Sequence, residues 1–327
     1  MSQFGMYNLA DIGIRAGAPS KGVATLANES LFNNTFFSQP LTDFAVGYRN
    51  QEEDLQAALD YLAPAVKAPR KFQYRVMNNK AAFDAITDGS DERALYGEFK
   101  VVTTHDGIVD DHTVSKGLTT IIDKDEREEN PNILEERTAW LKQLQLRADL
   151  LRAVALLNSL ATNTAKTWSG SSGTPDMDLR AAIKASRESM GLQPNRALYG
   201  GGAWDARLAL LDKQNTAGAF AGLMRLESEL ARFARLREIR VNDLVYSVGS
   251  GKQEIVTDNK VFVFSAYNEI STRDASNVKR FWSPVMGGGE WAVYVDETAA
   301  EIIKLTVHHK NKIVSPNTLG VRTLTIS

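Results

Sequence analysis

Residues 130–165 read NPNILEERTAWLKQLQLRADLLRAVALLNSLATNTA, and after the opening Asn-Pro pair they contain no Gly and no further Pro. The stretch predicts one helix running to Ala165, about three times the ~11–12 residues of an average globular helix. Asn130 is placed to cap it, with Pro131 at the first helical position, where no amide hydrogen is needed. Glu135 and Glu136 fall near the positive end of the helix dipole. At about 100° per residue the apolar side chains form two stripes. Trp140, Leu144, Ala148, Leu151 and Ala155 line one face; Leu146, Leu150, Ala153, Leu157 and Leu160 line a face nearly opposite. Lys142, Arg147, Asp149 and Arg152 fall in the gaps between them. A surface helix needs only one apolar stripe. Either this helix crosses a large core, or one of its two layers belongs to another subunit. Leaving the second stripe in water would forgo on the order of 10 kcal/mol, at about 1.5–3 kcal/mol per aliphatic side chain.

Composition narrows the classes. The formal net charge of −2 argues against a protein that grips duplex DNA through its phosphates. The absence of cysteine excludes disulfides, a thiolate nucleophile and Cys-ligated zinc. MSQFGMYNLADIGIR lacks the basic and apolar regions of a signal peptide. No apolar run reaches the ~18 residues of a membrane span. The chain reads as a soluble protein with 43% hydrophobic residues, enough for a sizeable core.

Outward from the long helix, residues 1–65 read as mostly irregular, rich in Gly, Asn, Ser and Thr yet carrying Phe32, Phe36, Phe37, Phe44 and Tyr48. A disordered tail has few aromatics, so this predicts an extended arm whose rings bury on some other surface. A short helix is expected around Gln51–Leu62, ending at Pro64. KFQYRV (71–76) alternates as a strand does, and GEFKVVTTH (97–105) is the expected second strand of a long hairpin. Its polar tip carries Phe83, Leu95 and Tyr96. GLTTIID and the acidic run DKDEREEN then lead to the helix. Beyond it come a flexible SGSSGTP connection, a helix closed by Gly191, a strand–turn–helix in RALYGGGAWDARLALLD, and a helix in AGLMRLESELARFARL. Strands are expected in REIRVNDLVYSVG, in KVFVFSAY and through the C-terminal segment, so the class is α+β.

No catalytic set emerges. YGGGAWDA (199–206) sets three glycines before a helix, where amides can cradle a phosphate. VGSGKQ (248–253) lacks the first Gly and the Ser or Thr of a P-loop. Both are more economically read as turns. His308 and His309 are adjacent, and on a strand they face opposite ways, so a shared metal is not expected. The reading assigns no catalytic residue, cofactor or metal.

The order of parts resembles the major capsid proteins of tailed bacteriophages, with the Hong Kong ninety-seven type fold. LTDFAVGYRNQEEDLQAALDYLAPAVKAPRKFQYRV (41–76) is similar to that family's passage from N-terminal arm to extended loop. VSKGLTTIIDKDEREENPNILEERTAWLKQLQLRADLLRAVALLNS (114–159) resembles the return of the loop and the start of the spine helix. LRAAIKASRESMGLQPNRALYGGGAWDARL (179–208) resembles the axial-domain helix, its Gly-x-x-Pro-Asn turn and the next strand and helix. The resemblance implies an arm with a short helix (1–65), an extended β-hairpin loop (66–122), a peripheral domain with the spine (123–175 plus 291–327) and an axial domain (176–290). It implies self-assembly as pentamers and hexamers into an icosahedral virion shell around double-stranded DNA, built in the bacterial host cytoplasm. Scaffolding and portal proteins are the implied partners, with only weak non-specific contact to the packaged DNA and no membrane. Candidate intersubunit contacts are then Phe32, Phe36 and Phe37 on the arm, Phe83, Leu95 and Tyr96 on the loop, and Leu146, Leu150 and Leu157 on the spine. The alternatives are an encapsulin-type shell around a cargo enzyme and, from another class, an enzyme with a phosphate-binding turn at Gly200–Gly202.

Overall fold

The computed structural model describes residues 36–50, 54–77, 91–93, 95–99, 101, 107–169, 173–214, 222–249, 251–269, 274–298 and 301–327. The sequence KDEREE forms a one-turn-and-a-half helix, α3 (Lys124–Glu129), and the spine follows as α4 (Ile133–Leu160). Asn130 therefore ends α3 rather than capping the spine, and Asn132 stands at the N-cap of α4. The spine also stops earlier than the unbroken pattern predicts. Ala161 turns to extended geometry, and Thr162–Lys166 forms β5, pairing in parallel with β14 (Arg322–Ile326). Alternating threonines suit a strand, and the C-terminal strand supplies the ladder that the helix could not.

Two helices precede the first sheet: α1 (Gln39–Gly47) and α2 (Leu55–Leu62). The helix α1 lies where the sequence reads as irregular arm; Thr42 and Ala45 are its buried residues. The first sheet is organised by one long strand, β13 (Ile302–Val314). Along one edge it pairs with β4 (Val114–Asp123) from Ile302 to Asn311. Its other edge takes β12 (Trp291–Asp296) and then β11 (Lys279–Trp282), beyond which lies β1 (Ala65–Lys67). The spine packs on this sheet: Leu141, Leu146, Leu150, Ala153 and Leu157 join Leu59 and Leu62 of α2 and Ile122, Ile303, Leu305 and Val307 of the sheet in one core.

The second sheet has the order β5-β14-β10-β6-β7, with β6 (Arg196–Gly200), β7 (Glu238–Asn242) and β10 (Lys260–Phe264). Helices α5 (Pro175–Met190), α6 (Gly201–Lys213) and α7 (Glu227–Ala234) surround it. Strand alternation divides its side chains between two cores. Val261, Val263, Ala197 and Tyr199 point into the helical layer, while Phe262, Phe264 and Leu198 join the core beneath the spine. The C-terminal strand β14 belongs to this sheet, and β11 to the first, so the chain crosses between layers more often than contiguous segments would.

Two ribbons complete the chain. β2 (Lys71–Val76) pairs with β3 (Gly107–His112), and β8 (Val245–Val248) with β9 (Gly251–Glu254). The hairpin partner of β2 is thus 107–112 and not 97–105; among the described residues of that run none lies in a strand. GIVDDH alternates polar and apolar residues as β2 does, and Lys71 registers with His112.

Burial separates the two stripes of α4. Leu150 is fully enclosed, whereas Trp140 keeps 47% of its surface in water. Leu150→Ala is expected to lower the unfolding free energy by about 2–5 kcal/mol. Trp140→Ala should lower it far less; urea titration of the two variants distinguishes them.

Candidate functional site

The proposed contact residues fall into three groups. Phe32 and Phe83 lie outside the described residues. Leu146, Leu150 and Leu157 are buried in the subunit's own core, so they offer nothing to a neighbour. The other stripe of the spine, Trp140, Leu144, Ala148, Leu151 and Ala155, is the half-open one. Phe36 and Phe37 also pack at home. Phe37 bridges to Tyr294 with the rings 5.9 Å apart, and both phenylalanines rest on Val285, Ala292 and Tyr294. The Ser38 amide donates to the Val293 carbonyl, and the Val293 amide to the Thr42 hydroxyl, each at 3.0 Å.

Leu95 and Tyr96 behave differently. They are 83% and 95% exposed, and Phe99 and Val101 beside them are also open to water. Four large apolar groups within seven residues of an exposed segment form the kind of surface that marks an interaction site. Tyr96 has a φ of 66°, an uncommon conformation for a non-glycine residue. Further exposed apolar side chains, Val114, Leu118 and Ile121, run along β4 at the sheet edge.

The charges assigned to the gaps of the spine are not all solvated. Lys142 is buried and donates to the carbonyls of Ala45 (2.5 Å) and Tyr48 (2.7 Å) at the end of α1, with its ammonium 5.8 Å from the centre of the Trp291 ring. Burial, and after it Arg49, draws this lysine down to about 8. Asp149 is fully buried. It accepts from Lys116 of β4 (2.7 Å), Arg152 (2.5 Å) and Asn311 of β13 (2.6 Å), and His309 stands 3.6 Å away. Burial works to raise the Asp149 carboxyl, but His309, Lys116 and the hydrogen bonds from Lys116 and Asn311 outweigh it and hold it at about 2. Gln145, between them, donates to the Val307 carbonyl at 2.9 Å. The 142–145–149 spacing puts all three on one helical face, a signal present in the sequence.

His308 and His309 face opposite ways: His309 lies against Trp291, and His308 against Tyr294 and Ser115. Burial holds them down at about 4 and about 3.

The glycine turn at 200–202 holds the chain's own carboxylate. Asp258 accepts a short hydrogen bond from the Gly202 amide at the start of α6, and its carbonyl accepts from Ala203 at 2.8 Å. A Cβ on Gly200 would lie 2.5 Å from the carbonyl oxygens of Thr257 and Asp258. The glycines therefore admit this loop, and Asp258 fills the place a phosphate would take. VGSGKQ is likewise no phosphate loop: Val248 ends β8, Gly251 opens β9, which pairs with it, and Gly249 has φ +59°. Among the described residues no cluster of three potential metal ligands occurs, and no helix is long and apolar enough to cross a membrane.

With two sheets, a spine and a hairpin in place, comparison with solved structures identifies the architecture. A phage-related protein from Bordetella bronchiseptica RB50 superposes with a TM-score of 0.61 over 89% of this chain and 97% of its own, at 14% identity. The subunit of the bacteriophage PhiM1 mature capsid matches with a TM-score of 0.50 over 82% of this chain and 86% of its own, at 8% identity. No protein-family model matches the sequence, and no curated protein matches it significantly. The chain shares its α+β fold with these phage proteins, the PhiM1 capsid subunit among them.

Acid should weaken this subunit. An unfolded histidine takes up its proton near 6.5, while the folded chain keeps His308 and His309 neutral to about 4 and about 3. The unfolded state therefore binds more protons across that interval, and stability falls as pH drops through it. Asp149 adds a further loss between 3.8 and about 2. Melting temperatures from pH 7 to 4 should decline, with a shallower slope in His309→Gln. Gly200→Ala should cost about 1–3 kcal/mol by overpacking, measured by the same melts.

Proposed function

We propose that this protein is the major capsid subunit of a tailed phage, assembling as pentamers and hexamers into an icosahedral head that encloses double-stranded DNA. The observation that carries the reading beyond the fold is the exposed apolar set Leu95, Tyr96, Phe99 and Val101. It lies between β2 and β3, whose ribbon packs Phe72 and Tyr74 on Val66, Phe281 and Val314 of the body, while the apolar set beyond the ribbon has no such cover. A chain that worked alone would gain nothing from leaving those groups in water.

In this reading the part of 66–122 that lies between β1 and β4 reaches towards a neighbour, since β1 and β4 themselves pair within this chain's first sheet. The anchoring of Phe36, Phe37 and α1 on β12 confines any intersubunit arm to the residues before them. The half-open Trp140 stripe and the apolar edge of β4 are additional contact surfaces. Scaffolding and portal proteins would complete assembly in the host cytoplasm, and the net charge of −2 suits a container that holds its genome loosely. Symmetric shells reuse one interface many times, so modest contacts suffice.

Leu95→Asp/Tyr96→Asp tests this. Both side chains are exposed, so subunit stability should change by no more than about 0.5 kcal/mol, while the yield of closed particles falls sharply in sedimentation. Particles formed at normal yield would show that the loop is not an intersubunit element. The contents of wild-type particles, double-stranded DNA or a protein cargo, decide between a phage head and a nanocompartment.

A further inference from the structure

Between α2 and the β6–β7 edge of the second sheet lies a cleft of about 490 Å³ whose walls include Arg49, Arg196, Arg237 and Arg240. Two carboxylates, Asp60 and Glu238, also line it, and both are already engaged. Asp60 accepts from Arg280 at 2.8 Å, and Glu238 from the Nε of Arg240 at 2.7 Å. Arg196 has no such partner. It is 96% buried by area, being 4% exposed. Its guanidinium donates to the carbonyls of Tyr61 and Asp60 and to Asn268 Oδ1 at 3.2 Å, and its Nε makes no hydrogen bond. Among the described residues no carboxylate lies within ion-pair distance of it. Its charge rests on the Tyr61 ring, 5.0 Å from the ring centre, with Arg240 also over that ring at 4.7 Å.

A buried cation without a counter-ion is costly. Burial makes the Arg196 guanidinium less ready to hold its proton than usual; Tyr61 and Glu238 work against it, and Arg237 and Arg240 add to it. Arg237 stands exposed at the rim and presents positive charge to anything approaching; Arg49, also exposed there, is 3.6 Å from Asp54, a surface pair that water screens. The missing element is an anion from outside the subunit. Asp60 and Glu238 on the walls disfavour a compact dianion such as phosphate, whereas carboxylates carried on two separate side chains can approach the cleft and its rim at different points, away from those two acids.

We propose that this cleft docks carboxylates of a second copy of the chain, supplied by Asp91 and Glu92. These two acids are exposed and sit just before Leu95 and Tyr96, so one segment offers charge and apolar surface together. The inference rests on the assembly reading above and assigns that loop a receptor. Electrostatic complementarity of this kind fixes register more than affinity, which a shell built from many copies of one contact requires.

Charge exchange on the full chain tests it. Arg49→Glu/Arg237→Glu should lower the yield of closed particles about tenfold or more, as should Asp91→Arg/Glu92→Arg, since like charges then face each other. Combining all four should restore most of the yield. Unassembled Asp91→Arg/Glu92→Arg should melt at the wild-type temperature, because both acids lie on the surface, and variants with Arg49→Glu within a few degrees of it, since they lose only the screened surface pair with Asp54; the milder Arg237→Gln should give an intermediate loss of assembly at an unchanged melting temperature. Reversals that leave assembly untouched, or that cripple it without mutual rescue, overturn the pairing while the capsid reading stands. A wild-type subunit stabilised by inorganic phosphate, with shells indifferent to the reversals, makes the cleft an ion site and equally overturns it. Wild-type protein that forms no shells at all removes the capsid reading and this inference with it.

Discussion

The seating of the spine helix on β13 is the constraint on which the rest of the structure depends. Apolar burial of Leu146, Leu150 and Leu157 supplies the driving force, but area alone does not fix where a helix sits along a sheet. Asp149 does. Its carboxylate is satisfied only when Lys116 and Asn311, from two paired strands, converge on it with Arg152 from its own helix. Sliding the helix by one turn would strand a buried charge, which costs several kcal/mol. Lys142 does the same at the other end, where the last carbonyls of α1 need its ammonium.

From that seat the other parts follow. Holding β13 places β4 on one edge and β12 on the other, and β12 in turn anchors Phe37, Ser38 and Thr42. The end of the spine hands the chain to β5, which enters the second sheet beside the C-terminal strand. Phe262, Phe264 and Leu198 return from that sheet to the core beneath the spine. The two layers therefore share side chains and stand as one scaffold, on which the β2–β3 ribbon packs through Phe72.

Much of this was legible in the amino-acid sequence, because long periodic segments carry strong signals. The spine, the helix closed by Gly191, KFQYRV and the C-terminal strands all lie close to where pattern placed them. What pattern could not supply was partnership. Thr162–Lys166 looks like helix until β14 is known to lie beside it. Either stripe of α4 could have faced the core; the choice turns on Lys142, Gln145 and Asp149, polar residues that period alone assigns to water. The glycines before α6 invite a phosphate until Asp258, more than fifty residues later in sequence, is found on the Gly202 amide. The arginine cleft was invisible for the same reason, since Arg49, Arg196 and Arg237 meet only in the fold. Leu95 and Tyr96 were singled out in the sequence, and the structure leaves them exposed.

The account joins a fold shared with the PhiM1 capsid subunit to the proposal that the exposed Leu95, Tyr96, Phe99 and Val101 pack against another copy. Electron microscopy of the purified full-length chain, concentrated from dilute solution, tests that claim most directly. Closed shells with five-fold and six-fold clusters of subunits, their projecting loops lying over adjacent copies, are the predicted result. A chain that stays as discrete compact particles at every concentration, with the Leu95–Val101 segment folded back on its own subunit, would contradict it.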